Sequence, residues 1–240
     1  MPYWQILLSG ARASSVDAAH FCRLPILHIE RTISGYYLRS PEFEALDKPE
    51  EVYALAEQRI AQINGIASIL LPAFQPIELA PSVIRIFEDG KKKVWVFNRE
   101  HERLPEFRLE PSTAAKSVSS ALVEEWLATA RNSGPLTDAL RLFAMQRDEW
   151  AALYKILELA RANLSPGIEE RGWASGAELR RFTHTANSAE AIGDDARHSR
   201  GQFNSPSRAI TLAEGVELVT RILRNWIEDA ATATMKSSAP

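Results

Sequence analysis

The side chains best suited to chemistry are concentrated in one stretch of the sequence, residues 182–201 (FTHTANSAEAIGDDARHSRG). So many ionisable groups in so few residues are typical of an organised polar site rather than of a periodic surface helix. A histidine there can transfer protons near neutral pH, and an arginine can hold the oxygens of an anion. The candidate residues are His184, Asn187, Asp194, Asp195, Arg197, His198 and Arg200, with Arg180 and Arg181 just before them.

Arginine is the basic residue of the whole surrounding region. Residues 171–208 contain six arginines, no lysine and four acidic residues, within a chain whose formal net charge is -3. The guanidinium group presents a rigid fork of donors that matches phosphate or carboxylate oxygens. This composition predicts an anion site. The alternative is that the arginines pair with Glu190, Asp194 and Asp195 and pin a long loop onto the domain.

Spacing within the stretch adds two expectations. Arg180 and His184 are four residues apart, so a helix over residues 179–186 would place them on one face, where the guanidinium would favour the neutral imidazole. Histidine and carboxylate groups also bind metals, but the spacing of His184, Asp194 and His198 matches no known metal-binding signature. We therefore expect no metal and no cofactor at this site.

The composition is that of an ordinary folded protein. The 240 residues are 45% hydrophobic and 25% charged, with a sequence pI of about 6.0. This balance argues against a protein that coats nucleic acid non-specifically, because such binding requires many cationic contacts to phosphates. Cys22 is the single cysteine, so no internal disulfide can form. No apolar run approaches the ~20 residues of a membrane span, and we predict a cytoplasmic, microbial protein with no membrane partner.

The elements that must position the candidate residues begin with an N-terminal α+β domain over residues 1–110. An apolar helical stripe follows Pro49, and the Asp-Gly pair at residues 89–90 predicts a hairpin turn. The three lysines at residues 91–93 are expected to mark a solvated sheet edge, the alternative being a phosphate-binding run. Residues 26–38 are expected to form either a pair of strands, split near Ser34 and Gly35, or one bulged strand. The predicted strand segments are Tyr3–Leu8, Ile26–Arg31, Ile33–Leu38, Val83–Phe87, Val94–Phe97 and Leu104–Leu109.

The second half of the chain has helical periodicity. A linker is predicted at residues 111–120, where small and polar residues replace large apolar ones, and an all-α helical bundle over residues 121–230. Residues 231–240 are predicted to be a frayed tail. Thr211 and Glu214 form the T-x-x-E pattern of a capping box at the start of the last helix. The predicted fold class is thus an α+β N-terminal domain followed by an all-α helical bundle.

The order of features in this second half resembles the HEPN superfamily of helical nucleotide-binding and RNA-cleaving domains. These features are LYKILE on one helix, ARHSRG at the end of the next, and then a Trp-ended amphipathic helix. The string GDDARH, which ends at His198, is similar to the Gly-Asn-x-Ala-x-His string of some bacterial members. The resemblance covers about residues 120–230. It implies a HEPN-like bundle in which His198 is the functional histidine and two copies pair about a two-fold axis at one RNA-cleaving cleft.

The sequence departs from the superfamily pattern at one point. Members have an arginine that precedes the histidine by four to six intervening residues, and Ala191, Ile192 and Gly193 occupy those positions here. Under this resemblance, Arg197 or Arg181 would have to supply the cation instead.

Two functional hypotheses follow. The first is a metal-independent RNA-cleaving effector, or one that binds RNA or a nucleotide phosphate. Its catalytic residues would be Asp194, Arg197 and His198, and its binding residues Arg180, Arg181, His184, Asn187 and Arg200. The second is a non-catalytic interaction module that binds a protein partner through the N-terminal domain. We expect a homodimer formed by the helical half in either case, because amphipathic helices leave surplus apolar faces.

Overall fold

The chain is an α+β protein, with an antiparallel sheet in its N-terminal part and helices in its C-terminal half. The computed structural model describes residues 1–9, 13–14, 23–24, 27–71, 74–97, 109–110, 118–193 and 208–237. The chain divides into two compact units, Met1–Leu127 and Ala128–Pro240. Most of the predicted linker, residues 111–117, lies outside the described residues, so the boundary at 111–120 stays a prediction.

The sheet of the first unit contains six strands in the order β3-β4-β5-β1-β6-β7, and every neighbouring pair is antiparallel. Five of the strands have five or more residues, and β3 has only two. Separately, β2 and β8 form a short parallel pair. The strands are β1 Tyr3–Ser9, β2 Ala13–Ser14, β3 Arg23–Leu24, β4 Leu27–Thr32, β5 Gly35–Arg39, β6 Glu78–Ile86, β7 Lys92–Val96 and β8 Leu109–Glu110.

The predicted hairpin at residues 83–97 is confirmed, because β6 and β7 pair around the Asp-Gly turn. Gly90 has a φ of 78°, a backbone conformation that glycine adopts without steric cost. The predicted strand pair at residues 26–38 is confirmed as well by the pairing of β4 with β5. Residues 104–108 of the predicted strand Leu104–Leu109 lie outside the described residues, so this strand stays a prediction.

One long helix, α1 Pro49–Leu70, covers part of the sheet by packing on β6 and β1. Its start follows from the sequence, because proline is favoured in the first turn and Glu50 and Glu51 lie next to the positive end of the helix dipole. The side chains of β1 that alternate on one face, Trp4, Ile6 and Leu8, are buried. They are the centre of this unit's core.

A buried side chain of α1 ties the helix to the start of β6. The Asn64 amide donates to the carbonyl oxygen of Ile77 at 2.7 Å, and the Ile77 backbone N–H donates to Asn64 Oδ1 at 2.9 Å. Asn64 is buried, so these two bonds satisfy polar groups that water cannot reach. The position of α1 on the sheet depends on this pair of hydrogen bonds.

We predict that Asn64→Ala lowers the free energy of unfolding of the first unit by about 2–3 kcal/mol, because two buried backbone groups of Ile77 lose their partner. Chemical denaturation measures this loss when unfolding is followed by tryptophan fluorescence, to which Trp4 in the core of the first unit contributes. Asn132→Ala is the control, since the Asn132 side chain is exposed and donates to the carbonyl oxygen of Ala128, and it should change stability by less than about 0.5 kcal/mol. Equal effects of the two substitutions would contradict the assignment.

The described residues of the C-terminal half are mostly helical. Helix α2 spans the division between the two units. No helix in the described part of the chain is long and apolar enough to cross a membrane. The helices are α2 Ser120–Arg131, α3 Gly134–Gln146, α4 Trp150–Asn163, α5 Gly176–Asn187, α6 Ala189–Ile192 and α7 Leu212–Ser237.

The last helix, α7, is longer than the sequence indicates. Its predicted capping box is confirmed, because the Glu214 N–H donates to Thr211 Oγ1 and the Thr211 N–H donates to Glu214 Oε2. The sequence predicts fraying after Ala230, whereas α7 continues to Ser237. Alanine is the strongest helix former, and Ala231 is buried with only 3% of its surface exposed. Alanine thus extends this helix beyond its apolar stripe, which is why the apolar pattern of the sequence does not predict the extension.

Candidate functional site

The structure describes four of the eight predicted site residues. Arg180, Arg181, His184 and Asn187 all lie on α5. Asp194, Arg197, His198 and Arg200 lie outside the described residues, so their predicted roles stay predictions. The described part of the site is therefore helix α5 and the residues that hold it in place.

Helix α5 begins with a complete capping box. Ser175 Oγ accepts the N–H of Glu178, and Glu178 Oε2 accepts the N–H of Ser175 at 2.8 Å. The second carboxylate oxygen, Glu178 Oε1, accepts a hydrogen bond from Arg221 Nη2 on α7 at 2.6 Å. The start of α5 is thus fixed both to its own backbone and to α7.

These contacts lower the pKa of the Glu178 carboxyl to about 2. The backbone N–H of Ser175 is the largest cause, followed by the Ser175 hydroxyl and then by Arg221. Because the folded protein prefers the ionised carboxylate, this contribution to stability is complete above the ordinary pKa of 4.5 and is lost as the pH falls towards 2. The side chain is 43% exposed, so solvent screening keeps the contribution small.

Apolar packing sets the rotation of α5 about its axis. Leu179, Phe182 and Ala186 are buried, and the ring of Phe182 lies 5.8 Å from that of Trp150 on α4. A Cβ atom at Gly215 of α7 would lie 3.2 Å from Trp150 and 3.4 Å from Phe182. The absence of a side chain at Gly215 therefore lets α7 approach the two aromatic rings closely.

The polar side chains of α5 form a stripe on another face, which we call the polar face. Arg180, Thr183, His184 and Asn187 follow the spacing i, i+3, i+4, i+7 of neighbours on a helix surface. The predicted shared face of Arg180 and His184 is thereby confirmed. Arg180 is exposed, His184 is half-buried, and Asn187 is only 6% exposed.

Two oxygens of the polar face are buried without a hydrogen bond. Thr183 Oγ1 and Asn187 Oδ1 have no partner within the part of the chain that the structure describes. A buried polar atom without a partner costs about 1–3 kcal/mol, and native proteins keep such groups mostly where strain, an ion, water or a ligand accounts for them. The sequence analysis missed Thr183, although its spacing from Arg180 and Asn187 was visible.

Arg181 does not belong to the polar face. It lies one residue after Arg180, about 100° around the helix, and its Nε donates to the carbonyl oxygen of Arg208 at 3.3 Å. It lines a cavity of about 200 Å³ together with Glu178, Glu214 and Arg221. The pKa of Glu214 is lowered, first by its hydrogen bonds from Thr211 and then by the charges of Arg181 and Arg208. Carboxylates thus surround Arg181 on this side of α5.

Thr185 holds the chain that follows the site. Its hydroxyl donates to the Arg181 carbonyl at 2.9 Å, and its oxygen accepts the buried N–H of Ile210 at 3.2 Å. On the other side, Ser188 separates α5 from the short helix α6, whose end is marked by Gly193 at a φ of 68°. The described chain on both sides of the segment that carries His198 is therefore attached to the C-terminal half of α5. Before the segment the attachment is helix α6, and after it the attachment is the Ile210 N–H. No local pattern indicates the Thr185 contact, because its partner is 25 residues away.

Comparison with other proteins adds no constraint. No protein-family model, no curated protein and no solved structure matches the chain. Among the described residues, no three His, Cys, Asp or Glu side chains lie close enough together to hold a metal ion. The predicted metal-free site includes Asp194 and His198 and stays a prediction.

We predict that Thr185→Val lowers the free energy of unfolding of the helical unit by about 1–3 kcal/mol, because the buried Ile210 N–H loses its acceptor. Thermal and urea unfolding measure the loss. Thr220→Val is the matched control, because the Thr220 hydroxyl donates to the Val216 carbonyl of its own helix. If the two valine variants unfold alike, Thr185 does not anchor the chain before α7.

Proposed function

We propose that the helical half is a HEPN-like domain that binds RNA or a nucleotide phosphate and cleaves RNA without a metal. The observation that carries the proposal is the polar face of α5, which places Arg180, His184 and Asn187 side by side. The segment with Asp194, Arg197 and His198 is flanked by Gly193, which ends the short helix α6 after α5, and by Ile210, whose N–H donates to Thr185 of α5. We therefore treat the polar face and this segment as one site.

In the proposed reaction, the 2′-hydroxyl of RNA attacks the adjacent phosphorus while the bond from phosphorus to the 5′-oxygen breaks. His198 takes the proton of the 2′-hydroxyl, and a protonated group returns one to the departing 5′-oxygen. Arg197 donates hydrogen bonds to the phosphate oxygens, whose charge grows in the pentavalent transition state. Asp194 orients the ring of His198. The products are a 2′,3′-cyclic phosphate and a 5′-hydroxyl, with no redox change and no metal needed.

The polar face of α5 supplies binding rather than proton transfer. Arg180 is exposed and suits a backbone phosphate. His184 is half-buried and suits a hydrogen bond to the ribose or to a base edge. The Asn187 amide is buried next to it on the same face, so its part in the proposal is to support that face. Arg200 adds a second cation from the segment. Arg181 has carboxylates around it and a bond to the Arg208 carbonyl, so its part in the proposal is to hold the segment in place.

A homodimer through the helical half is part of the proposal because the HEPN resemblance implies one. The described helices of the second unit expose one large apolar side chain, Met145, at 70% of its surface. The sequence-based reason for a dimer, surplus apolar helix faces, therefore has little support. A dimer interface would have to be largely polar.

The second candidate is a non-catalytic interaction module. The bonds that Arg181 and Thr185 make to Arg208 and Ile210 favour it, because they show polar residues of this region in purely structural roles. In that case the segment with His198 has a structural role in the helical unit, and the N-terminal domain carries the binding site for a partner protein.

We predict that His198→Ala lowers the rate of cleavage of a single-stranded RNA, measured in the presence of a chelator, by about 10²–10⁴-fold. The melting temperature should stay unchanged, because a proton-transfer group is lost rather than a packed one. His101→Ala, outside the segment, serves as the control and should cleave at the wild-type rate. A lower melting temperature for His198→Ala, together with no cleavage by the wild type, would end the catalytic proposal and leave the interaction module.

A further inference from the structure

Within the described residues, the outer strand of the N-terminal sheet leaves one hydrogen-bonding edge unpaired. β7 pairs with β6 on one side, and no other described strand pairs with it. Phe87 donates to the Lys91 carbonyl at 2.9 Å, and Phe97 donates to the Pro81 carbonyl at 2.8 Å. Since bonded and non-bonded pairs alternate along an antiparallel ladder, the odd-numbered residues of β7 bond inward. The backbone groups of residues 92, 94 and 96 therefore point outward.

The same three residues place their side chains on one exposed face. Val94 is 53% exposed and Val96 is 65% exposed, and Lys92 precedes them on this face. On the opposite face, Trp95 packs against Trp4 with ring centroids 5.4 Å apart. The edge thus combines open backbone groups with two β-branched apolar side chains that stay exposed among the described residues.

The charge of this edge is positive. Lys91, Lys92 and Lys93 are exposed. Lys91 pairs with Asp89 at 2.7 Å, and Lys93 Nζ lies 4.7 Å from the centre of the Trp95 ring. Lysines at a sheet edge repel a second copy of the same edge. They attract a strand that carries carboxylates.

We propose that β7 is a docking edge for an extended, acidic segment of a partner protein, which adds to the sheet as a further strand. The outward N–H and C=O groups would bind the partner's backbone, Val94 and Val96 would contact its apolar side chains, and the lysines would contact its carboxylates. An alternating row of donors and acceptors matches a peptide backbone and not a phosphate backbone, which is why a protein segment is favoured over RNA. This inference concerns the first unit and does not depend on the RNA proposal for the helical half.

The test uses the full chain and a fluorescent, capped peptide in which valine and glutamate alternate. The peptide has about eight residues, which is a usual strand length. Wild-type protein should bind it, and replacing its glutamates by lysines should abolish binding. Val94→Pro removes an outward N–H without removing a bond to β6, so it should weaken binding about tenfold or more. Val94→Thr, which keeps that N–H, should bind within about threefold of the wild type. Lys92→Glu should weaken binding of the glutamate peptide and strengthen binding of the lysine peptide.

Four outcomes would overturn the proposal. The first is no binding of the glutamate peptide up to about 1 mM, and the second is equal binding by Val94→Pro and wild type. The third is self-association of the protein through β7 that Val94→Pro abolishes. The fourth is binding of single-stranded RNA at this edge that Lys92→Glu abolishes. If Val94→Pro fails to fold, a peptide N-methylated on alternate residues blocks the same bonds from the partner's side. It should then fail to bind the wild-type protein in one of its two methylation registers.

Discussion

The packing of Phe182 against Trp150 and Gly215 is the contact on which the candidate site depends. It fixes the rotation of α5, because the apolar residues of the helix must face α4 and α7. Once that face is buried, the helical period leaves Arg180, Thr183, His184 and Asn187 together on another face. The site is thus a by-product of core packing, and a larger residue at Gly215 would turn or displace it. The hydrogen bonds at the two ends of α5 then set its position along its axis.

The two surfaces proposed for binding differ in kind. The polar face of α5 presents side-chain donors and a cation, which suit phosphate and ribose groups. The β7 edge presents backbone groups in a straight row, which suit another strand. Salt would weaken the phosphate contacts of the polar face steeply. At the β7 edge it would weaken the lysine–carboxylate contacts, whereas backbone pairing and the contacts of Val94 and Val96 are much less sensitive. A protein that uses both surfaces could link a partner protein to an RNA.

Local signals in the sequence predicted the elements but not the contacts between distant parts of the chain. Pro49 with its two glutamates, and the Asp-Gly turn at residues 89–90, act within a few residues and correctly placed α1 and the hairpin. The bond between Thr185 and Ile210 and the pairing of β2 with β8 join residues far apart in sequence, and no periodicity reports them. Arg180 and Arg181 look equivalent in the sequence. Only the rotation of α5 shows that one lies on the polar face and the other beside carboxylates.

The central claim is that the polar face of α5 and the segment with His198 form one RNA site. The most direct measurement is the change in backbone amide NMR signals of the full chain as a short single-stranded RNA is added. The account predicts that the largest shifts occur at Arg180, His184 and Asn187 and across residues 193–210, with β7 unaffected. Shifts confined to the lysines at residues 91–93, or no shifts at RNA concentrations of about 1 mM, would contradict it.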